Sequence, residues 1–274
     1  MAIFEAELYQ RHRPLYPIET FLKLRAFLEK RFTSPFDVAD IAAGTGNASL
    51  SLLRSGISVR IHAVEPSAEM LEYARASETL QNAGALFSQG SGEATGLPPQ
   101  SFNAVMVASA FHWMDRAKAK EEFLRILRTG GILQIFEYQF PKCTTRPEVN
   151  EYIKAGFNQR WKAPGQVPRG NFRELTQDLR EDSRLHELSF EQVPMSLELS
   201  LQELTGLLLS QSRVLHFERT LSAVAQLEFR EGLSENLGKL LAAGAEARTR
   251  FDFKLTVVIF EKTSGRALNG EELK

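Results

Sequence analysis

The sequence predicts an α/β fold in which helices flank a doubly wound, Rossmann-like sheet of mostly parallel strands. Three observations support this fold class. Between Phe36 and Glu137, short β-branched runs alternate with helical stretches, as crossover connections between parallel strands require. The first run ends in a glycine-containing loop at 40–46 that leads directly into a helical stretch. A strongly apolar run at 251–260 predicts one more strand after a long helical region.

The individual elements follow from hydrophobic periodicity and from helix start and stop signals. Apolar and β-branched runs predict strands at 37–41, 58–64, 85–88, 104–108, 132–136, 188–199 and 251–260. Helical spacing predicts helices at 18–31, 48–54, 68–77, 117–128, 147–161, 172–181, 201–215 and 221–241. Gly130-Gly131 is interpreted as a helix stop, and Pro194 as an interruption of its strand. Two prolines predict an extended or turned segment at 9–17.

Composition and charge narrow the class of protein. The 274 residues include 33 basic and 34 acidic side chains, so no overall field attracts nucleic acid or an anionic membrane. A single cysteine, Cys143, and the lack of an apolar signal segment predict a cytoplasmic protein. No run approaches the ~20 apolar residues of a membrane span. We expect a small-molecule partner and no metal site, and the sequence does not indicate the oligomeric state.

The loop Asp40-Ile-Ala-Ala-Gly-Thr-Gly46 is the first candidate binding feature. In doubly wound sheets, ligands bind beyond the carboxyl ends of the strands, where the strand order reverses. Gly44 and Gly46 allow a tight turn and a close approach of the backbone to a ligand. An ordinary strand-to-helix turn would also use two glycines, so both interpretations stay open for the loop alone.

Glu65 favours the ligand-binding interpretation. It ends the second predicted strand, about 20 residues beyond the loop, where a carboxylate can accept both hydroxyl protons of a ribose. The alternative is that Glu65 only favours the N-terminus of the next helix, which starts at Pro66-Ser67. That alternative explains the charge but not its position relative to the loop.

Five short blocks follow one another at regular intervals: Tyr-x-x-x-Arg-Pro-x-Tyr-Pro at 9–17, Asp-x-Ala-Ala-Gly-Thr-Gly at 40–46, Val-Glu-Pro-Ser at 64–67, Gly-x-x-Glu at 90–93 and Ala-Phe-His-Trp at 110–113. Together they resemble class I S-adenosylmethionine-dependent methyltransferases, in particular a small-molecule subgroup akin to trans-aconitate methyltransferase. Each block is weak alone; their order and spacing make the resemblance specific. It covers residues 9–137 well, and beyond them it rests on strand order and on 209–213.

The resemblance implies a seven-stranded sheet whose last strand is antiparallel, with a helical cap, and S-adenosylmethionine as cofactor with S-adenosylhomocysteine as product. It implies cofactor contacts from Asp40, Ala42, Gly44, Gly46, Glu65, Pro66, Gly92, Glu93 and Ser109. In this assignment Glu65 holds the ribose hydroxyls, and Gly92 and Glu93 border the adenine. Ala42 and Asn103 depart from the family pattern, which often has Gly and usually Asp there, but neither position supplies the ribose contact.

The resemblance also suggests a division of the chain. We predict an N-terminal arm and helix that form a lid (1–35) and a cofactor-binding core (36–140). These are followed by the rest of the core with a loop insertion (141–200). A helical cap insertion (201–247) comes next, and a final strand with a tail (248–274) ends the predicted division.

A further set of residues is assigned to the lid and to the site of the methyl acceptor. His112 is a suitable general base for a hydroxyl or amine acceptor, whereas a carboxylate needs none; alternatively His112 packs the sheet edge. Trp113 is interpreted as an apolar wall of the site. Tyr9, Arg13 and Tyr16 are predicted to form the lid, with an N-terminal arm pinned by aromatic burial as the alternative. Arg213 faces either the same cavity or solvent.

These features predict a methyltransferase that acts on a small organic molecule. One possible acceptor is an acid that is esterified at a carboxylate. A nicotinamide-dependent oxidoreductase is the main alternative, although the chain lacks its Gly-x-Gly-x-x-Gly spacing. A cofactor-binding relative without transfer activity is another. A small basic cluster, Arg160-Trp-Lys162 with Arg169, is too narrow to predict a nucleic-acid partner.

Overall fold

The computed structural model describes residues 5–161, 170–241 and 247–264. Its strands are β1 (Phe36–Ile41), β2 (Val59–Glu65), β3 (Leu86–Gln89), β4 (Phe102–Ala108), β5 (Leu127–Tyr138), β6 (Lys142–Cys143), β7 (Leu185–Leu199) and β8 (Thr249–Lys262). The strands follow the order β3-β2-β1-β4-β5-β8-β6, and β7 pairs with β8. This confirms the predicted fold class, a mostly parallel sheet with antiparallel strands at its end. The two-residue strand β6 was not predicted.

Twelve α-helices are described: α1 (Ala6–His12), α2 (Leu22–Glu29), α3 (Asn47–Arg54), α4 (Ala68–Arg75), α5 (Glu78–Asn82), α6 (Arg116–Ile126), α7 (Pro147–Ala155), α8 (Phe172–Leu175), α9 (Gln177–Arg180), α10 (Leu201–Leu209), α11 (Ser212–Glu218) and α12 (Ala223–Leu241). Short 3₁₀ turns cover Ile18–Phe21 and Phe111–Trp113, and a π turn covers Gly156–Arg160. Within this described part, no helix combines the length and the apolar character that a membrane crossing requires.

The chain divides into two compact units. The core unit comprises residues 16–137, 170–193 and 256–274, and the second unit comprises residues 1–15, 138–169 and 194–255. In the core unit, β1 and β4 are buried along almost their whole length because helices cover both faces of a parallel sheet. Their side chains pack with those of α6 and β5 in one hydrophobic cluster.

The predicted helix stop at Gly130-Gly131 is wrong. Helix α6 already ends at Ile126, and β5 begins at Leu127, so both glycines lie inside a strand. Leu127 pairs with Phe102, and the register shifts before Ala104. Gly130 has a φ of +76°, which glycine adopts readily at such a strand irregularity.

The prediction of an extended segment at 9–17 is also wrong in its first half. Residues 6–12 form helix α1, with Ala6 fully buried. Pro14 and Pro17 lie beyond the C-terminus of this helix, so neither removes one of its hydrogen bonds.

Proline and glycine explain two further differences. Pro194 does not interrupt β7, which lies at an edge in the strand order, where a missing N–H need not break a ladder. The helix predicted at 147–161 changes to the π turn at Gly156, where an added Cβ would overlap ring carbons of Trp161. The helices predicted at 172–181 and 201–215 are each divided in two.

Candidate active site

The register of the parallel strands brings four loops to one edge of the sheet. Ile41 at the end of β1 pairs with Val64 on one side and Val107 on the other. Glu65 in turn pairs with Gln89 at the end of β3. The strand order reverses between β1 and β4, which is where doubly wound folds bind ligands. Four of the five sequence blocks therefore meet at this edge.

In the loop after β1, every second residue from 42 to 46 has a left-handed backbone conformation. The φ angles are +55° at Ala42, +58° at Gly44 and +88° at Gly46. At Gly46 an added Cβ would lie 2.7 Å from Cδ1 of Leu80, so packing as well as conformation requires glycine. At Gly44 the nearest such contact is Cε of Met70 at 3.6 Å, which leaves the backbone open to a close approach.

Glu65 joins this loop to the turn after β2. One carboxylate oxygen accepts a hydrogen bond from the backbone N–H of Gly44 at 2.8 Å, and the other accepts from Ser67 at 3.0 Å. The residue is only 7% exposed. Burial raises the pKa of Glu65, and the two N–H donors oppose that shift. Each oxygen keeps a further lone pair for a hydroxyl group, so the carboxylate fits the predicted ribose contact.

Asp40 lies beneath the loop. It has no exposed surface, and the Ser49 hydroxyl donates to its Oδ2 at 2.6 Å. Among the described residues, Oδ1 has no hydrogen-bond partner. Burial raises the pKa of Asp40 to about 7, although Ser49 acts against the shift. The carboxyl group supports the loop from inside the protein, and its contact with a cofactor stays a prediction.

Ala42 and Pro66 complete the predicted set at these two loops. Ala42 is half-buried within the turn, and Pro66 is exposed just after Glu65.

The third loop, between β3 and β4, is tied to helix α6. Glu122 on α6 accepts hydrogen bonds from the backbone N–H of Thr95, at 2.9 Å, and from the Thr95 hydroxyl. Arg125, one turn later, donates to the Leu97 carbonyl at 2.7 Å. These contacts were not predicted from the sequence. They hold the loop that contains Gly92 and Glu93.

Gly92 and Glu93 both contact the segment after β4. An added Cβ at Gly92 would lie 2.5 Å from Sδ of Met114, so this methionine packs directly on the glycine. The Glu93 carboxylate accepts from the backbone N–H of Asp115 at 2.8 Å. These contacts bring the block at 90–93 against the block at 110–113.

Tyr16 is anchored in the core unit. Its hydroxyl donates to Oγ of Ser109 at 3.0 Å, and its backbone N–H donates to Oγ of Ser51 at 2.9 Å. Its ring meets Phe136 edge-on with centroids 4.8 Å apart. Ser109, just after β4, has a φ of +52° and donates its N–H to the Phe136 carbonyl. Tyr16 therefore adjoins the predicted cofactor residue Ser109.

His112 lies in the 3₁₀ turn after β4 and faces a carboxylate. Its Nδ1 is 3.5 Å from Oε2 of Glu137, and the two side chains are 11% and 4% exposed. The Trp113 ring, in a residue 51% exposed, lies 4.8 Å from the imidazole. The sequence reasoning missed Glu137, although an acidic residue near the end of the apolar run 132–138 was an available signal.

The remaining candidates belong to the second unit. There the Arg13 guanidinium donates to the Ser210 carbonyl at 3.0 Å and to the Tyr138 hydroxyl at 3.4 Å. It also lies over the Tyr9 ring, 4.9 Å from the centroid. Tyr138 and Ser210 are partners that the sequence did not predict.

Arg213, also in the second unit, donates to the Phe157 carbonyl at 3.3 Å. In the basic cluster, Arg160 lies 4.2 Å from the centroid of the Tyr152 ring. Lys162 and Arg169 fall outside the described residues. In the part of the chain with described coordinates, no three His, Cys, Asp or Glu side chains come together as metal ligands would.

The stretch from β1 to β5 matches a known family. Residues 39–135 fit the family model of the methyltransferase domain. This stretch is therefore similar to methyltransferase domains. It contains the loops after β1, β2, β3 and β4 and all nine predicted cofactor residues. Tyr16, Phe136 and Glu137, which contact residues of these loops, lie outside it.

Curated relatives carry the same designation. The chain is 40% identical over 125 residues to an uncharacterized methyltransferase of Mycobacterium tuberculosis, an alignment covering 46% of each chain. It is 27% identical over 160 residues to a probable S-adenosylmethionine-dependent methyltransferase of Saccharomyces cerevisiae, covering 57% of this chain and 53% of the relative. The chain thus spans about half the length of the curated relatives it matches.

A solved structure shows the same fold over a larger part of the chain. A protein of Anaeromyxobacter dehalogenans, proposed to be a type II methyltransferase, superimposes with a TM-score of 0.64 at 22% identity. The match covers 90% of this chain and 97% of that protein. The likeness agrees with the Rossmann-like fold predicted from the sequence.

Proposed function

We propose that this protein binds S-adenosylmethionine at the carboxyl edge of β1, β2 and β4 and transfers its methyl group to a small organic molecule. The observation that carries the proposal is the Glu65 carboxylate, which is nearly buried and bonded to the N–H groups of Gly44 and Ser67. This contact orients a ribose-binding group against an open glycine turn. A structural carboxylate alone would not require the open turn beside it.

Different residues at this edge of the sheet contact different parts of the cofactor. Glu65 holds the ribose hydroxyls, while Gly44 and Gly46 let the backbone approach the amino-acid part of the cofactor. The loop that contains Gly92 and Glu93 borders the adenine. When bound, S-adenosylmethionine supplies a methyl group on a positively charged sulfur that already activates it for displacement. The protein's main task is then to orient the two reactants, which can provide a large part of the rate acceleration.

The acceptor proposed from the resemblance to trans-aconitate methyltransferase is a small organic acid, methylated at a carboxylate. Such an acceptor needs no general base, since it is already ionised at neutral pH.

Calorimetry with S-adenosylhomocysteine tests the cofactor. We expect binding by the native protein, and a loss of affinity of about 10- to 100-fold in Glu65→Gln, because hydrogen bonds to a charged group contribute about 1.5–3 kcal/mol. An amide can no longer accept from both N–H donors. Glu72→Gln, on the exposed face of α4, is the matched control and should bind as the native protein does.

The same titration separates the alternatives. Binding of reduced nicotinamide cofactor without binding of S-adenosylhomocysteine would instead support an oxidoreductase. Binding of S-adenosylhomocysteine without methyl transfer to any member of a broad acceptor panel would support a non-catalytic role.

A further inference from the structure

We propose that Glu93 and Met114 are positioning residues that connect the adenine side of the cofactor site to the Phe111–Trp113 turn on the acceptor side. Through these two residues, binding of the cofactor restricts the turn that adjoins the methyl acceptor. This inference rests on the proposed function, and it gives Glu93 a task besides bordering the adenine.

The adenine side of this connection is a tight turn. The backbone N–H groups of Ser91 and Ala94 each donate to the carbonyl of the other residue at 3.2 Å, so Gly92 and Glu93 form the tip of a closed turn. The next residue, Thr95, is bonded through its backbone N–H to helix α6. Because the turn is closed at its base and held at its exit, a displacement of its tip passes to whatever packs against the tip.

Two contacts join this tip to the segment after β4. The Glu93 carboxylate accepts a hydrogen bond from the backbone N–H of Asp115 at 2.8 Å. The Met114 side chain packs on Gly92, where an added Cβ would lie 2.5 Å from Sδ and 2.8 Å from Cε. Gly92 is buried, and Met114 is half-buried against the hydrophobic cluster of the core unit. The two contacts involve consecutive residues on both sides, so the tip and residues 114–115 move together.

Met114 and Asp115 also form one end of the Phe111–Trp113 turn. The Met114 N–H donates to the Phe111 carbonyl at 3.3 Å. Asp115 is the N-cap of helix α6, where its side chain accepts from the N–H of Lys118 at 3.3 Å. A shift of the adenine turn therefore reaches the Phe111–Trp113 turn through its last hydrogen bond.

The other end of this turn is anchored in the sheet. Ser109 donates its N–H to the carbonyl of Phe136, in the neighbouring strand β5, at 2.7 Å. Between the two ends lies Trp113, which is 51% exposed and is predicted to form a wall of the acceptor site. Since the sheet holds the Ser109 end, the position of the Met114 end decides where Trp113 lies.

The coupling between the two sides has a definite sign. A bound adenine ring fixes the turn at 91–94, and Glu93 and Met114 then restrict the residues that adjoin the acceptor. The conformational freedom that the cofactor removes does not have to be removed again by the acceptor, so binding of either ligand favours the other. The flexible thioether of Met114 suits this task, because it can keep its contact with Gly92 as the turn shifts.

Quenching of tryptophan fluorescence by acrylamide tests the connection without an acceptor. Of the two tryptophans in the chain, Trp113 is 51% exposed and Trp161 is 3% exposed, so the quencher reports mainly on Trp113. We expect saturating S-adenosylhomocysteine to lower the quenching constant of the native protein. The control Glu78→Ala, which removes an exposed glutamate from α5, should show the same decrease. In Trp113→Phe the decrease should disappear.

Variants of the two positioning residues separate the connection from a direct contact between cofactor and Trp113. Glu93→Ala should lower the affinity for S-adenosylhomocysteine by about 2- to 10-fold, the contribution of one hydrogen bond, and should reduce the change at Trp113 even at saturation. Glu93→Gln keeps an oxygen that accepts from Asp115 and should retain most of the change. Met114→Leu, which conserves the packing volume, should retain it too. Glu93→Ala combined with Met114→Ala should abolish the change while the ligand still binds.

Hydrogen exchange provides a second readout in the same variants. In the native protein, S-adenosylhomocysteine should protect residues 42–46 and 110–113. In the double variant, protection of 42–46 should remain and protection of 110–113 should be lost. Glu93→Ala alone removes only a contact at the surface, and it provides the same comparison if the double variant does not fold.

Two results would overturn the connection. One is a native protein that binds S-adenosylhomocysteine with no change at Trp113. The other is an undiminished change at saturation in the double variant and in Glu93→Ala, because the cofactor would then act on Trp113 directly. Failure of the native protein to bind S-adenosylhomocysteine would instead defeat the proposed function itself.

Discussion

At the scale of single residues, Asp40 and Glu65 show how burial and partners give similar carboxyl groups different tasks. Both end neighbouring strands, and burial raises the pKa of both. Glu65 has two backbone N–H donors that favour its charged form, whereas Asp40 has the Ser49 hydroxyl. Glu65 is therefore better suited to bind a ligand as a charged carboxylate. Asp40 is better suited to stabilise the loop as a partly protonated carboxyl group.

The pKa of Asp40 predicts a pH dependence of stability. In the folded protein the pKa is about 7, against an ordinary value of 3.8, so the folded state binds more protons than the unfolded state between these values. The free energy of unfolding should fall as pH rises from about 4 to about 7 and then level off. Asp40→Asn, which mimics the protonated form, should lack this fall. Denaturant titrations at pH 5 and pH 8 measure it, and an equal fall in both proteins would contradict the assignment.

Gly46 predicts a second residue-scale outcome. An alanine there combines a positive φ with a Cβ only 2.7 Å from Leu80. At Gly56, with a φ of +74°, an added Cβ meets nothing within 4 Å, so Gly56→Ala is the matched control for backbone strain alone. We expect Gly56→Ala to cost about 1–2 kcal/mol of stability. Gly46→Ala should cost about 1–3 kcal/mol more from overpacking. If thermal unfolding shows that both variants lose the same stability, the Leu80 side chain moves aside without a cost in free energy, and the overpacking prediction is wrong.

At the scale of elements, helix α6 has two tasks, because it packs on the sheet and holds the loop that contains Gly92 and Glu93. Its Glu122 binds Thr95 in that loop, and its Arg125 binds both Glu122 and the Leu97 carbonyl. The loop is thus connected to an element with a buried face rather than held only by its own turns. Changes in α6 should therefore reach the predicted adenine site.

Glu122→Gln tests this connection. Its ion pair with Arg125 lowers the pKa of Glu122 to about 2, from an ordinary value of 4.5, so its stabilising contribution is present above about pH 4.5 and is lost as pH falls toward 2. We expect the variant to unfold more easily than the native protein at pH 7 and to differ less from it at pH 3. Affinity for S-adenosylhomocysteine should also fall. Glu121→Gln, which removes the contact with Arg184 instead, should leave that affinity unchanged; equal effects on affinity would contradict the connection.

Secondary structure was predictable where periodicity and tertiary packing agree, as in α3, β1, β2 and β4. It was mispredicted at the boundary between α6 and β5, because Leu127 and Arg128 continue a helical pattern while strand pairing with β4 draws them into the sheet. The spacing of apolar residues along a short stretch carries no information about a strand-pairing partner 25 residues earlier in the chain.

At the scale of the whole molecule, the nine predicted cofactor residues all belong to the core unit, and the second unit contains Tyr9, Arg13 and Arg213. Much of the core unit is similar to a known methyltransferase domain. The second unit lies outside the residues that match this domain.

Hydrogen exchange measured across the whole chain tests the division of tasks. Since binding slows exchange where a ligand contacts or orders the backbone, S-adenosylhomocysteine should protect residues 42–46, 65–67 and 109–113. Protection confined to the second unit would contradict the predicted cofactor site.

The sequence by itself determined the fold class, the glycine loop after the first strand, and Glu65 as the group beside it. These features depend on short-range properties, namely the alternation of strands and helices, the need for glycine at positive φ, and a carboxylate at a strand end. The tertiary structure decided which of the polar residues act together. Glu137 meets His112, Tyr16 meets Ser109 and Glu122 holds Thr95 only because strands and helices distant in sequence pack in one register.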